Sequence, residues 1–482
     1  MMNFLESVLA EVETSAEEVE ANTNPSAASP YLDRLTEDAL AEHFVKGHMG
    51  GDARHVVAWG KWLFWSGTHW EADETLRYAT EIRQAIAPFV AELFDLADAS
   101  ETGGAGLRKL ARQFGSSKTV MSVASLARTV DSVPVGVEEL DADLDLLATP
   151  GGMVNLRSGE IRPAKREDLC TKITSVAPAP PGTVPERWIG FLHRIFSGDV
   201  EMIRLLQEAA GYGLTGRTTE HKLLFLHGSG RNGKSVYLST ISRLAGDYAG
   251  RAHASTFIKQ HNTQHPTDVA KLRGLRMVIA SELPEGSVWN ENVLKDLTGG
   301  ETVSARYMRQ DFFDFKPQLT LLIAGNSQPS LQGVDVATRE RLVLVPFDVT
   351  IPREERDPLL EEKLIGEEGP AILRWMIDGA VQWYRHGLTI PESVRAASES
   401  YFANEDIVGN FLTAFVDIDP DGFASRRSLY NAFKRHCYDN GLACWTSTTF
   451  VKELRKRKLQ EGKREGTRGF RGVRMRAAEW DV

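Results

Sequence analysis

Eight consecutive residues, Gly228, Ser229, Gly230, Arg231, Asn232, Gly233, Lys234 and Ser235, carry the clearest chemistry in the chain. They satisfy the pattern G-x-x-x-x-G-K-[ST]. Glycines let a backbone curl until several N–H groups face one anion, and a helix starting at the lysine adds the positive end of its dipole. In such a loop Lys234 reaches the β- and γ-phosphates of a nucleotide, and the Ser235 hydroxyl ligates Mg²⁺. The context agrees: the apolar run LLFLH precedes the loop, and GKSVYLSTISRLAG reads as the helix behind it. A Gly-rich turn with an incidental lysine is the alternative that this setting disfavours.

A phosphate loop needs an acid near a neighbouring strand end to manage Mg²⁺ and the attacking water. The run LRMVIA ends in Ser281-Glu282, and a carboxylate at a buried strand tip is costly unless a cation or donor meets it. Glu282 is the candidate for metal or water, against a plain surface glutamate. The run TLLIAGN ends in Asn326, whose neutral amide suits water or the γ-phosphate, against a turn-forming asparagine. In DVATRERLVLVPF, Arg339 and Arg341 precede another apolar run. Read as extended chain, residues two apart point the same way, and a guanidinium fork fits a transferring phosphoryl group. A salt-bridged sheet edge is the alternative for both.

These residues must be positioned by strands and helices. The short apolar runs LLFLH, RMVIA, TLLIA and LVLVPF alternate with helical patterns, which predicts an α/β domain with a parallel sheet covered on both faces. It is expected over 181–400, with a helical lead-in. The Pro-rich TSVAPAPPGTVPE sets the boundary before it. Residues 31–180 read as a mainly helical domain, with Ile82, Ile86, Phe89, Val90, Leu93 and Phe94 on one apolar stripe, a small aromatic hairpin before it and two short strands around Ser158-Gly159. Residues 1–30 read as an acidic, disordered tail. Residues 401–482 form a last unit in which three helices and a Gly-punctuated strand pair suggest a winged helix.

The 482 residues suffice for about three domains. With 66 acidic and 56 basic residues the net charge is -10, which argues against a whole-surface nucleic-acid coat but not against local basic sites. The first 42 residues hold ten acids and Arg34 alone, whereas Lys452–Arg476 hold eleven basic residues and three acids. Lys452, Arg455 and Lys456, on the last helix, are the candidates for DNA contact there, against a solvated face. Three cysteines point to a reducing compartment, no run is long enough to span a membrane, and no leader pattern opens the chain, so the cytoplasm is expected. Cys437, Cys444 and His436 lack the spacing of a zinc site.

Taken together, residues 183–350 resemble the superfamily 3 helicases, specifically the helicase part of phage and plasmid primase-helicases related to the poxvirus primase-helicase. The Walker A residues are 228–235, the Walker B strand ends at Glu282, the third motif at Asn326, and the arginine finger best matches Arg341, with Arg339 a possible second. The resemblance implies an AAA+-like core, ATP and Mg²⁺ as cofactors, and 3′→5′ unwinding of DNA by a ring, a hexamer, in which one subunit's arginine completes its neighbour's site. VLKDLTGGETVSARYMRQDFFDFKPQ is similar to the family's channel hairpin: TVSARYM and FFDFK pair around Arg309-Gln310-Asp311, with Arg309 at the tip and Arg306 and Lys316 on the stems. Many members carry two adjacent acids where this chain has Ser281-Glu282, so the split between metal ligand and general base at Glu282 stays open. Relatives often carry a primase module upstream. Here Asp141, Asp143 and Asp145 read as an acidic loop, and primer synthesis is expected from a separate primase or polymerase. An ATP-controlled initiator that binds an origin and recruits another helicase is the second reading.

Overall fold

In the computed structural model, residues 36–100, 104–259, 266–309, 311–331, 335–442 and 444–476 are described. The expected acidic tail, Gln310 of the hairpin and the last six residues lie outside them. The chain divides into two compact units, residues 1–178 and 179–482.

The first unit mixes helices with two small sheets. Thr36 caps α1 (Glu37–Glu42) by accepting from the Ala39 N–H, and a wider, π-helical turn His43–His48 continues it. Strands β1 (Ala53–Val56), β2 (Lys61–Trp65), β3 (Trp70–Ala72) and β4 (Pro134–Val135) form a sheet in the order β3-β2-β1-β4. Helices α2 (Arg77–Ala99), α3 (Gly104–Phe114) and α4 (Ser117–Ala127) lie between β3 and β4 in sequence. From the expected stripe, Ile82, Ile86, Phe89 and Leu93 are buried with Phe44 and Trp62, and Val90 and Phe94 flank that core. Strands β5 (Leu146–Thr149), β6 (Gly152–Asn155) and β7 (Ile161–Arg162) form the second sheet; β6 and β7 are the two expected strands, and β5 is an addition. Two of the three aspartates, Asp141 and Asp145, are tied to basic side chains. Arg157 binds Asp145 at 2.5 Å. Burial pushes the Asp141 carboxyl up, but Lys172 at 3.1 Å and two hydrogen bonds from Thr171 outweigh it and hold the group below the usual carboxylate range.

In the second unit, α5 (Glu186–Ile195) and α6 (Val200–Thr215) lead in, and Asp199 caps α6 by accepting from the Glu201 and Met202 N–H groups, each at 3.0 Å. Then follow β8 (Leu223–His227), α7 (Lys234–Ala245), β9 (Ala249–Arg251), α8 (Pro266–Ala270), β10 (Met277–Ala280), α9 (Glu291–Gly299), β11 (Val303–Ala305), β12 (Phe313–Phe315), β13 (Thr320–Gly325), α10 (Val336–Arg341), β14 (Leu342–Pro346), α11 (Leu360–His386) and α12 (Glu392–Glu405). Five strands make one sheet, β14-β8-β13-β10-β9, with every neighbouring pair parallel. All residues of β10 and β13 are buried, as a sheet covered on both faces requires. Tyr401 and Phe402 on α12 pack in the core beside this sheet, so the α/β module runs to about residue 405, past the expected boundary at 400.

The C-terminal part is α13 (Ile407–Phe415), β15 (Val416–Ser425), α14 (Arg426–Asp439), α15 (Ser447–Lys456), β16 (Gln460–Arg464) and β17 (Thr467–Met475). Its sheet order is β15-β17-β16. Strand β15 escapes the sequence reading because Asp417, Asp419, Pro420 and Asp421 disfavour a strand; ladder bonds to β17 and Arg474–Asp419 and Arg476–Asp417 pairs at 2.7 Å hold it.

Helices α6 and α11 cross backbone to backbone at two glycines. A β-carbon on Gly211 would lie 2.0 Å from the Ala380 nitrogen, and one on Gly379 would lie 2.1 Å from the Gln207 carbonyl oxygen. We expect Gly211→Ala or Gly379→Ala to cost about 3 kcal/mol, the upper end of ordinary overpacking. Gly366→Ala on the same α11, where a β-carbon meets nothing within 4 Å, is expected to be neutral or mildly stabilising. Urea midpoints of the three variants check this.

Candidate functional site

The loop between β8 and α7 is shaped by backbone that only glycine adopts freely: Gly230 and Gly233 have φ of 95° and 87°, with Arg231 at 55° between them. Lys234 is the first residue of α7, and its side chain folds back into the loop. Its ammonium donates to the Gly228 carbonyl at 2.8 Å and to Asn232 Oδ1 at 3.0 Å. Asn232 is buried and donates in turn to the Phe347 carbonyl at 2.8 Å, which ties the loop to the chain leaving β14. A β-carbon at Gly228 would fall 2.3 Å from that carbonyl oxygen, so this position tolerates no side chain. Both atoms that receive the Lys234 protons are neutral oxygens. Burial lowers its pKa from 10.5 to about 8.

A cleft of about 270 Å³ opens over this loop. Its walls are the loop itself, Asn326 beyond β13, Phe191 of α5, and Ile351, Glu355, Arg356, Asp357 and Leu360 from the segment after β14, with Glu355 paired to Arg194 and Asp357 to Lys363. That segment is fastened down: the Ile351 N–H donates to the Arg231 carbonyl at 2.9 Å, and Arg356 donates twice to the Ile351 carbonyl. Ser235 stands exposed in the first turn of α7. Phe191, Ile351, Arg356 and Leu360 carry no motif in the sequence, because the wall is assembled from segments on both sides of the loop, the later ones more than a hundred residues beyond it. A larger cavity, about 710 Å³, is lined by Lys259, Arg339, Asp406, Lys456 and Arg457 among others. Its lining mixes both signs of charge, with Asp406 paired to Arg457 and Glu453 to Lys456.

The parallel sheet sorts the remaining candidates by edge. Asn326 follows β13 directly, and its Oδ1 would lie 4.0 Å from a β-carbon on Gly230, so it belongs to the cleft. Glu282 follows β10 at the same carboxyl edge, two strand spacings from β8, roughly 10 Å. It is exposed with φ of 65°, which corrects the expectation of a carboxylate on a buried strand tip: the chain turns outward at Ser281 and the group meets solvent.

Arg339 and Arg341 also depart from expectation. They lie on α10, not on extended chain, because Asp335 caps a helix there by accepting from the Thr338 N–H at 2.7 Å. On a helix, residues two apart diverge. Arg339 is exposed, with its guanidinium 5.5 Å from the Phe402 ring centroid. Arg341 is half-buried and donates to the Ala337 carbonyl at 2.9 Å, while its Nε is buried without a partner. The register Leu342↔Leu223 sets Arg341 at the start of the strands and the loop at their ends. That separation is about 13 Å or more along the strands, too far for Arg341 to join its own chain's cleft.

The hairpin forms, but with stems of three residues each, Val303–Ala305 against Phe313–Phe315. Arg306 and Lys316 therefore flank the stems instead of lying on them. Arg309 is exposed in the connecting loop with φ of 61°. Arg306 stacks over Phe312 at 4.8 Å, and Tyr307 donates to the Ala270 carbonyl at 3.1 Å. On α15, Lys452, Arg455 and Lys456 are all exposed, but Arg455 pairs with Glu461 at 3.0 Å and Lys456 with Glu453 at 3.1 Å. Among the described residues no cluster of three or more His, Cys, Asp or Glu side chains is placed to hold a metal ion. None of the described helices is long and apolar enough to cross a membrane.

Comparison with known proteins gives matches over both units. Residues 38–197 match the family described as D5 N terminal like, and residues 226–341 match a "Family of unknown function (DUF5906)". A protein of Acanthamoeba polyphaga mimivirus named "Putative helicase L207/L206" is 25% identical over 219 residues, 44% of this chain and 23% of that one. "Putative helicase 022R" of Frog virus 3 is 23% identical over 265 residues, 51% of this chain and 27% of that one. The chain thus spans about a quarter of the length of these relatives. The apo structure of the NrS-1 C-terminal region gives a TM-score of 0.42 at 13% identity, covering 62% of this chain and 78% of that one.

The Lys234 environment fixes a pH dependence. A polyphosphate beside the ammonium favours its charged form and raises a pKa that burial has brought to about 8. If the loop binds ATP, affinity is expected to be flat between the phosphate pKa of about 6 and pH 8 and to weaken as pH rises above 8, with proton uptake on binding in that upper range. Calorimetry in buffers of different ionisation enthalpy checks both, and Lys234→Ala is expected to remove the dependence along with the binding.

Proposed function

We propose that this chain, which is of the D5-like superfamily 3 primase-helicase type, is an ATP-driven helicase that unwinds duplex DNA during phage, prophage or plasmid replication. The observation that carries the reading is Lys234: a buried cation, satisfied only by neutral oxygens, at the head of a helix and under an open cleft. Such a site is completed by an anion, and a nucleotide's phosphates are the anion that this loop length and shape accommodate.

In this reading the loop N–H groups and Lys234 hold the phosphates, while Asn326 orients the attacking water at the γ-phosphate. Glu282, exposed at the same edge, accepts the water's proton. Ser235 and Glu282, both exposed at this edge, are the residues that would hold Mg²⁺, which would supply charge neutralisation for the phosphates. Phe191, Ile351 and Leu360 supply the apolar end of the cleft for the base. Arg341 stands at the opposite sheet edge, so a second copy of the chain must bring its own Arg341 to complete each site. A closed ring, a hexamer by family analogy, supplies such a neighbour for every subunit. Translocation with 3′→5′ polarity rests on the same analogy.

The hairpin with Arg309 is the strand-gripping element, since an exposed positive loop beside aromatic side chains suits a single strand's phosphates and bases. The order helix, strand, helix, helix, strand, strand of residues 407–475 is that of a winged helix and supports a DNA-binding module there.

Arg309→Ala is expected to abolish unwinding of a forked duplex and DNA stimulation of ATP hydrolysis, while basal hydrolysis stays within about threefold. A strand-displacement assay run beside a phosphate-release assay checks this. ATP-dependent DNA binding by the wild type with no strand separation at any protein concentration would instead support an origin-binding initiator that recruits another helicase.

A further inference from the structure

The C-terminal module presents two basic surfaces, and they differ in how their charge is compensated. Around α15, Arg426, Arg455, Lys456 and Arg457 face Glu461, Glu453 and Asp406. Glu461 receives both Arg426 at 2.5 Å and Arg455 at 3.0 Å, Glu453 receives Lys456 at 3.1 Å and Arg457 at 3.5 Å, and Asp406 holds Arg457 by a fork of two hydrogen bonds. Exposed pairs of this kind are individually weak. Their consequence is nevertheless clear: a phosphate approaching α15 meets three carboxylates along with these four cations, and Lys452 is the cation of this helix that, among the described residues, has no carboxylate partner.

The β16–β17 ribbon is different. Lys463, Arg464, Arg468 and Arg471 are all exposed, and among the described residues none has a carboxylate partner. Of the two acids on the ribbon, Glu461 is engaged by Arg426 and Arg455, and Glu465 occupies the two-residue turn with Gly466, at φ of 50° and 77°. Lys463 lies directly opposite Arg468 in the ladder. Like charges in that position repel and weaken a strand pair. An anion between them would turn that repulsion into attraction.

The register also divides the charges between the ribbon's faces. Lys463 and Arg468 share the face of Glu461 and Phe470, which at its base packs on the helices. Arg464 and Arg471 lie on the other face. Arg471 runs across Gly462, where a β-carbon would fall 2.4 Å from its Nε, so the glycine leaves the arginine room to lie along the strand. A narrow ribbon that is positive on both faces suits a groove with a phosphate wall on each side.

We propose that this ribbon, and not helix α15, is the principal duplex-DNA contact of the C-terminal module, entering a groove with Lys463 and Arg468 toward one phosphate strand and Arg464 and Arg471 toward the other. The contact is with the backbone and is independent of base sequence. It rests on the reading of the chain as a protein that acts on DNA.

The test uses the full chain, without nucleotide, binding a fluorescent blunt duplex in a salt titration. Lys463→Ala/Arg468→Ala is expected to weaken binding about tenfold or more and to lower the slope of log K against log salt by about 2, at 0.9 per lost phosphate contact. Arg464→Ala alone is expected to lower it by about 1. Arg455→Ala/Lys456→Ala is expected to leave affinity within about twofold. The Lys463→Ala/Arg468→Ala protein is also expected to melt no lower than wild type, because it loses a like-charge pair. The opposite ranking of the two double variants, equal losses on single-stranded DNA of the same length, or no duplex binding by the wild type would overturn the proposal. ATP hydrolysis by the same preparations separates the two readings. Hydrolysis with ribbon variants that bind duplex normally sinks the ribbon alone. Ribbon-dependent binding by a chain that never hydrolyses ATP sinks the helicase and leaves the ribbon.

Discussion

One buried ammonium group governs the architecture of the α/β module. Lys234 Nζ is held inside the loop that it belongs to, by the Gly228 carbonyl and the Asn232 amide oxygen. Removing a cation from water is expensive, and two neutral oxygens repay that cost only in part. Burial accordingly lowers its pKa to about 8. Everything around the loop keeps this arrangement in place. Asn232 is pinned to Phe347, the chain after β14 is fastened to Arg231, and the glycines permit an approach that side chains would block. A site built to hold an incompletely satisfied cation is a site prepared for an anion.

The parallel sheet then dictates what one chain can do alone. Parallel strands all end at one edge, so the loop after β8, Asn326 after β13 and Glu282 after β10 gather there. Residues that precede a strand gather at the other edge. Arg341, at the end of α10 and immediately before β14, is held there by the fold. If phosphoryl transfer needs this guanidinium, strand direction alone makes the reaction a property of an assembly. The family resemblance and the topology lead to that reading by separate routes, one from motifs and one from register.

How much of this was legible in the sequence follows from the range of the interactions involved. The phosphate loop, the four apolar strands and the hairpin are local: a motif, a run or a strand–turn–strand pattern contains its own cause. The cleft walls at Phe191, Ile351, Arg356 and Leu360 were not legible, since tertiary packing alone brings them to the loop. Arg339 and Arg341 were misjudged because a six-residue helix leaves almost no periodicity, and only the Asp335 cap signalled it. Glu282 was expected on a buried tip, yet one residue beyond the strand the backbone turns outward. On the C-terminal module the density of Lys and Arg was plain, but which of them are neutralised was not. Glu453 adjoins the α15 cations in sequence, whereas Glu461 reaches Arg426 and Arg455 only through the sheet packing on the helices.

The central claim, that the nucleotide site is completed by Arg341 from another copy of the chain, is tested most directly by mixing two inactive variants. Lys234→Ala cannot hold phosphates but still offers Arg341; Arg341→Ala holds phosphates but offers no guanidinium. Each alone is expected to hydrolyse ATP at least about a hundredfold more slowly than wild type. Mixed in equal amounts under assembling conditions, they are expected to recover a substantial fraction of wild-type hydrolysis, because some Arg341→Ala sites then border a Lys234→Ala neighbour with an intact finger. No recovery in mixed assemblies, or full activity of Arg341→Ala on its own, would contradict the account.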